Sequence, residues 1–155
     1  MKEELVTGWK QYEVQVIRHK ISEANILRVE KPAAAMELFS EDAERLTQES
    51  LWVMTMDGRN GIMGIERLYQ GTATGTSVRI SEIFRYAISV GGCGIVLVHN
   101  HPSGDPSASD EDIRLTEEVL KAARLLDVEF LDHLIVAGKN YTSIRSIKPA
   151  IWEVM

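Results

Sequence analysis

The segment Ile95-Val96-Leu97-Val98-His99-Asn100-His101-Pro102-Ser103-Gly104-Asp105-Pro106-Ser107-Ala108-Ser109-Asp110-Glu111-Asp112 decides how the chain folds. Its first four residues form a short continuous apolar run, the pattern of a strand buried on both faces. Pro102 and Gly104 then force the backbone out of the sheet and into a turn. Ser109, with Asp112 three residues on, fits a capping box with Asp in place of the usual Glu, at the start of the clearest helix in the chain. A buried strand, a breaker-rich loop and an amphipathic helix in succession are the parts of a layered α/β arrangement. Both flanks of the polar stretch from Asn100 to Asp112 are strongly patterned, so it reads as a loop inside one domain and not as a linker.

Working outward, strands and helices alternate. Tyr12, Val14 and Val16 alternate with polar residues, as in a half-buried strand. Pro32 is suited to the first turn of a helix whose apolar positions are Ala35, Leu38, Phe39, Ala43 and Leu46. Leu51 to Met56 is apolar and β-prone, Asp57-Gly58-Arg59-Asn60-Gly61 is a turn cluster, and Ile62 to Leu68 fits the returning arm of a hairpin. A Gly/Thr loop from Gly71 to Thr76 precedes a helix with Ile80, Ile83, Phe84, Ala87 and Ile88 on one face, ended by Gly91-Gly92. The helix after the polar loop carries its core face on Leu115, Val119, Ala122 and Leu126. Val128 to Ala137 is a strand region, Gly138-Lys139-Asn140 a tight turn, and Tyr141 to Ile144 a last strand. The expected class is α/β, an α+β layered domain with a central mixed sheet flanked by helices. Strand order does not follow from the pattern.

Composition narrows the function classes. The chain has 155 residues, 45% hydrophobic and 26% charged, as expected of one globular domain. Seventeen Lys and Arg against twenty-three Asp and Glu give a formal net charge of −6, which opposes phosphate-driven binding of nucleic acid. No apolar run approaches the ~20 residues that cross a bilayer, and Met1-Lys2-Glu3-Glu4-Leu5 does not open a signal peptide. With a single cysteine, Cys93, this points to the cytoplasm.

The scarce chemical resource is histidine, four in all. His99 and His101 are two apart, so on a strand they project to the same side. Asp112 lies in the first turn of the following helix. If the loop folds back, two imidazoles and one carboxylate converge, a donor set that leaves the fourth position of a catalytic zinc open. The plainer alternative makes the histidines packing residues of a strand end, and Ser109 and Asp112 a capping box and nothing more. Elsewhere, His133 is either a group beside the metal or a buried, hydrogen-bonded core histidine, and His19 is solvated. Cys93 is a small buried residue. Trp9 and Trp152 cover core edges or a homodimer contact. Ser103 shapes the loop, residues 72–77 border a cleft, and Lys121 and Arg124 form a wet helix face. Glu82 sits in a first helical turn, where the helix dipole favours a carboxylate.

His99-x-His101, seven residues, Ser109, two residues, Asp112 resembles the motif of the JAMM (MPN+/JAB) metalloproteases in residue type and spacing. The longer string from His99 to Pro106 is similar to the RadC-like bacterial branch. The likeness extends from Lys31 to Ile147 and takes in Ser81-Glu82-Ile83-Phe84 and Leu131-Asp132-His133-Leu134-Ile135-Val136. It implies a JAB/MPN-like, cytidine-deaminase-like architecture, with residues 1–155 as one domain: an N-terminal extension over 1–30 containing one strand, and a core over 31–147. It implies Zn2+ held by His99, His101 and Asp112. It also implies a general base at Glu49, where a helix passes into the first core strand, with Glu82 as rival, and an oxyanion donor at Ser109. Full-length RadC proteins carry an N-terminal helix-hairpin-helix region, for which residues 1–30 are too few.

Three functions follow for testing. The first is a zinc-dependent hydrolase acting on an amide or isopeptide bond of a peptide or protein. The second is a metal-stabilised, non-catalytic binding module associated with DNA repair or mobile elements. The third, nucleic-acid processing, requires a basic rim around the histidines, and Asp105, Asp110 and Glu111 make the nearby loop acidic.

Overall fold

A computed structural model of the protein describes residues 28–71 and 78–153. Trp9, the expected strand from Tyr12 to Val16, His19 and residues 72–77 lie outside the described residues. The elements in chain order are α1 (Pro32–Arg45), β1 (Ser50–Met56), β2 (Ile62–Gln70), α2 (Ile80–Val90), β3 (Gly94–Asn100), α3 (Asp110–Leu126), β4 (Glu129–Ala137), β5 (Asn140–Ser143), α4 (Ile144–Ile147) and α5 (Ala150–Glu153). The strands form one mixed sheet in the order β2-β1-β3-β4-β5. β1 is antiparallel to both β2 and β3, β3 is parallel to β4, and β4 is antiparallel to β5. A parallel pair cannot be closed by a tight turn, and here α3 is the crossover.

The β1–β2 hairpin turns on Asp57, whose carboxylate accepts the Arg59 and Gly61 backbone N–H groups at 2.8 Å each. α1 opens with Pro32 at its start, where a missing N–H costs nothing. α2 ends at Gly91 in the left-handed region at φ 69°, as the Gly-Gly pair requires.

β1 and β3 are buried on both faces, and their alternate residues serve two cores. Leu51, Val53, Ile95 and Leu97 meet Ile83, Phe84 and Ala87 of α2 and Val119, Leu120 and Ala123 of α3. Trp52, Met54, Met56, Val96 and Val98 meet Ala35, Phe39 and Ala43 of α1 on the other side. The result is a three-layer sandwich that fixes the ends of β1 and β3 next to each other. Leu51 pairs with His99 across the two strands.

Several expected side-chain placements are corrected. Leu126, Ile88 and Leu38 are exposed, so each helix buries a narrower stripe than apolarity alone implies. On α3 the buried positions are Asp112, Thr116, Val119, Leu120 and Ala123. Cys93 is exposed and not buried. Its backbone is engaged, with its N–H donating to Met56 and its carbonyl accepting from Glu129. The last strand is as long as expected but lies one residue earlier, from Asn140 to Ser143, because Ile144 begins α4 under the Ser143 cap.

The β3–β4 register contains an irregularity: Ile95 pairs with Phe130 but Val96 with Asp132, so Leu131 is an extra residue. Such a bulge inverts which face successive side chains take. Phe130 packs in the α2/α3 core, whereas Leu134 and Val136 pack in the α1 core. Between them, His133 comes to face α3.

Candidate metal centre

His99 is the penultimate residue of β3, and the backbone N–H of His101 still donates to Val136 of β4 at 2.8 Å. The ladder thus carries the second histidine beyond the end of the strand, and the two rings stand edge to face with centroids 4.9 Å apart. The loop then doubles back. Gly104 takes φ 85°, its N–H donates to the His101 carbonyl, and the Asp105 N–H donates to Ser103 Oγ at 3.3 Å. The Asp105 carboxylate accepts the Ser107 N–H at 2.9 Å. Ser103 and Asp105 therefore shape the loop by side-chain-to-backbone bonds. This return places the Asp105 carbonyl 3.0 Å from His101 Nδ1. A carbonyl can only accept, so Nδ1 carries the proton and Nε2 is left toward the site.

The first turn of α3 closes the cluster. Ser109 Oγ accepts the Asp112 N–H at 3.1 Å, and Asp112 Oδ2 accepts the Ser109 N–H at 2.8 Å, which completes the expected capping box. The same carboxylate has Oδ1 3.0 Å from His99 Nδ1 and Oδ2 3.3 Å from His101 Nε2. Capping and convergence with the histidines are therefore not alternatives, because the two carboxylate oxygens serve both. Burial alone would raise the Asp112 carboxyl. Hydrogen bonds from His101 and His99 and from the Ser109 backbone outweigh it and hold the group far below the usual carboxylate range. The bond to Asp112 raises His101 above its ordinary value, against the opposing effect of burial.

Glu49 lies between α1 and β1, with Oε2 3.7 Å from His99 Nε2 and its side chain 37% exposed. Its position is set by a residue that sequence reasoning passed over. Asn100 is buried and turned away from the histidines. Its Oδ1 accepts the Ser50 N–H and its Nδ2 donates to the Gln48 carbonyl at 3.1 Å, so both neighbours of Glu49 are tied to the end of β3. Gly71 adds a backbone bond to the Glu49 carbonyl at 3.0 Å. The available signal was Asn100 itself, an uncharged polar residue ending a run of buried strand positions. Glu82 is engaged elsewhere, its carboxylate accepting the Tyr69 hydroxyl.

Among the described residues, the donor atoms of Glu49, His99 and His101 lie within 4.8 Å of one another, and so do those of His99, Asp112 and His133. The direct His101–Asp112 contact joins the two groups. This His/Asp/Glu cluster could hold a metal ion. His133 is completely buried, and its ring lies nearly parallel to that of His99 with centroids 6.4 Å apart. Burial drives its imidazole down to about 3, so it is neutral.

The cluster opens onto a groove of about 340 Å³ lined by Glu49, Leu51, Tyr69, Val78, Asp112 and Leu115, among others. Among the described residues, acidic groups dominate its charged lining, with Glu111 and Glu118 beside Glu49 and Asp112 against Arg114. No described helix is long and apolar enough to cross a membrane. Trp152 covers a core edge, its indole N–H donating to Phe130 at 2.8 Å.

The family model of the RadC-like JAB domain matches residues 29–148. A UPF0758 protein of Roseiflexus castenholzii is 38% identical over 118 residues, 76% of this chain and 51% of its own length. One from Trichodesmium erythraeum is 39% identical over 125 residues, 81% of this chain and 51% of its own. One from Desulforudis audaxviator is 33% identical over 117 residues, 76% and 51% respectively. The chain thus spans about half the length of these curated relatives.

Proposed function

The chain belongs to the RadC-like JAB domain family, and on that premise we propose that it is a zinc-dependent hydrolase of amide or isopeptide bonds in a peptide or protein. The observation that carries this reading is the convergence of His99, His101 and Asp112 beside Glu49 at the wall of an open groove. Donors held 2.0–2.1 Å from one tetrahedral centre stand about 3.3 Å apart. The two imidazoles stand 3.0 and 3.3 Å from different oxygens of Asp112, close enough for one ion to draw a donor atom from each of the three side chains. Two neutral imidazoles and one carboxylate also match zinc in donor type.

In this reading His99, His101 and Asp112 hold the ion. Bound zinc would supply a Lewis acid that polarises a substrate carbonyl and lowers the pKa of water toward neutrality. Glu49 takes the proton from the attacking water and delivers it to the leaving amine, and its partial exposure lets water reach it. The Ser109 hydroxyl oxygen accepts from the Asp112 N–H as a cap, and its own proton remains to be donated to the developing oxyanion. The acidic groove favours a peptide over a polyanionic nucleic acid. We take residues 1–155 as one domain acting in the cytoplasm.

The test uses the full chain loaded with zinc. His99→Ala removes the histidine common to both donor groups, and we expect it to lose the metal by elemental analysis; equal zinc in both proteins would overturn the site. Glu49→Gln should keep its zinc and lose at least about 100-fold in turnover of a peptide and isopeptide panel, the scale of general base catalysis. A wild type that binds zinc and cleaves nothing would favour the metal-stabilised binding module.

A further inference from the structure

His133 is the one histidine of the cluster buried in the core. Thr116 Oγ1 donates to the Asp112 carbonyl at 2.7 Å, one turn back along α3. That uses its only proton, so its contact with His133 Nδ1 at 2.8 Å is one in which the imidazole N–H donates. A relay therefore runs from β4 through His133 and Thr116 to the backbone of Asp112. The other nitrogen of His133, Nε2, is buried and has no hydrogen-bond partner among the described residues. Leaving such an atom unpaired is unfavourable, and an apolar residue of similar size would avoid it. The His133 ring also lies nearly parallel to that of His99, so the same side chain stands behind both the Asp112 backbone, through Thr116, and a histidine of the site.

We propose that His133 is a positioning residue for the metal centre: with Thr116 it fixes the first turn of α3 and the His99 ring in the arrangement that accepts the ion. This rests on the metal-binding reading above. It separates two quantities that a merely structural histidine would move together. Removing His133 leaves metal-free stability unchanged or higher, because an unpaired buried polar atom disappears. Metal affinity falls, because the groups that orient ligands are lost.

The experiment measures zinc dissociation constants by chelator competition, and urea midpoints of the metal-free protein. The set is wild type, His133→Leu, His133→Asn, His133→Gln and Thr116→Val. The expected result is a metal-free midpoint for His133→Leu at or above that of wild type, with zinc affinity about 10–100-fold weaker. Thr116→Val should weaken zinc comparably, and combining it with His133→Leu should add little. Asn can place an amide N–H near the position of Nδ1 and should restore affinity, whereas Gln reaches the position of Nε2 and should not. Unchanged affinity in His133→Leu and Thr116→Val, equal rescue by Asn and Gln, or rescue by Gln alone, as direct ligation through Nε2 would give, overturns the proposal. If His133→Leu is too unstable to measure, Thr116→Val and His133→Asn decide the matter. Failure of the wild type to bind zinc would instead overturn the metal-binding reading itself.

Discussion

Ser109 and Asp112 exchange two hydrogen bonds at the start of α3, and the carboxylate has its remaining capacity turned toward two imidazoles. One residue pair thus joins helix capping to the candidate metal centre. Loss of a capping hydroxyl costs about 1 kcal/mol. Ser109→Ala should therefore lower metal-free stability by about that amount in urea titration. If Ser109 also donates to the oxyanion, turnover should fall by about 100-fold at unchanged zinc content, since one such donor contributes 10²–10³. A turnover loss below threefold would leave Ser109 as a cap alone. The spacing from Ser109 to Asp112 made the cap legible in the sequence, because a capping box depends on residues three apart in one turn. That the same carboxylate faces His99 and His101 depends on how the loop returns. The sequence states that only as a condition.

At the scale of elements, the junction of β1 and β3 controls where Glu49 stands. Asn100 ends β3 and satisfies one backbone group on each side of Glu49. Asn100→Leu keeps the branched shape of the side chain but strands the Ser50 N–H and the Gln48 carbonyl, and each buried group left unpaired costs about 1–3 kcal/mol. Equilibrium unfolding should show a loss in that range. Zinc content should stay near wild type, because Asn100 contacts neither Asp112 nor the histidine rings among its hydrogen-bond partners. A stable Asn100→Leu protein would show that the Glu49 segment is held by other contacts. The elements themselves were readable: the hairpin turn, the α2 stop at Gly91 and the buried β3 all have local causes. Helix faces were less so. Leu38, Ile88 and Leu126 lie beside the buried stripes but outside them. Apolarity records what can be buried, and the width of the contact with the sheet decides what is.

For the whole molecule, the charge pattern of the cluster predicts opposing responses to pH. Asp112 is depressed in the folded protein, so its contribution is complete above the ordinary value of 3.8 and is lost as pH falls below it. His101 is raised, so its contribution is complete below 6.5 and is lost as pH rises through its folded value. His133 is depressed to about 3, so its contribution is complete above 6.5 and is lost as pH falls below it. Metal-free protein should therefore be most stable near pH 6.5 as far as this cluster is concerned, and should weaken toward pH 8 as His101 loses its proton. Bound metal competes with protons for the imidazoles, so the stabilisation by zinc should grow over the same rise. Thermal unfolding at pH 6.5 and pH 8, with zinc and with chelator, reads both trends. A zinc effect that is equal at the two pH values would speak against imidazole ligation.

By itself the sequence determined the layered α/β class, the alternating elements and the order His99, His101, Ser109, Asp112 along a strand, loop and helix. These follow from periodicity, breakers and capping, which act over a few residues. The tertiary structure decided the strand order, the pinning of Glu49 by Asn100 and the place of His133. An extra residue at Leu131 inverts the facing of β4, and His133 then lies against Thr116 beneath the centre. Period-2 reading carries no mark of such a bulge, because the bulge exists only in the register between β3 and β4.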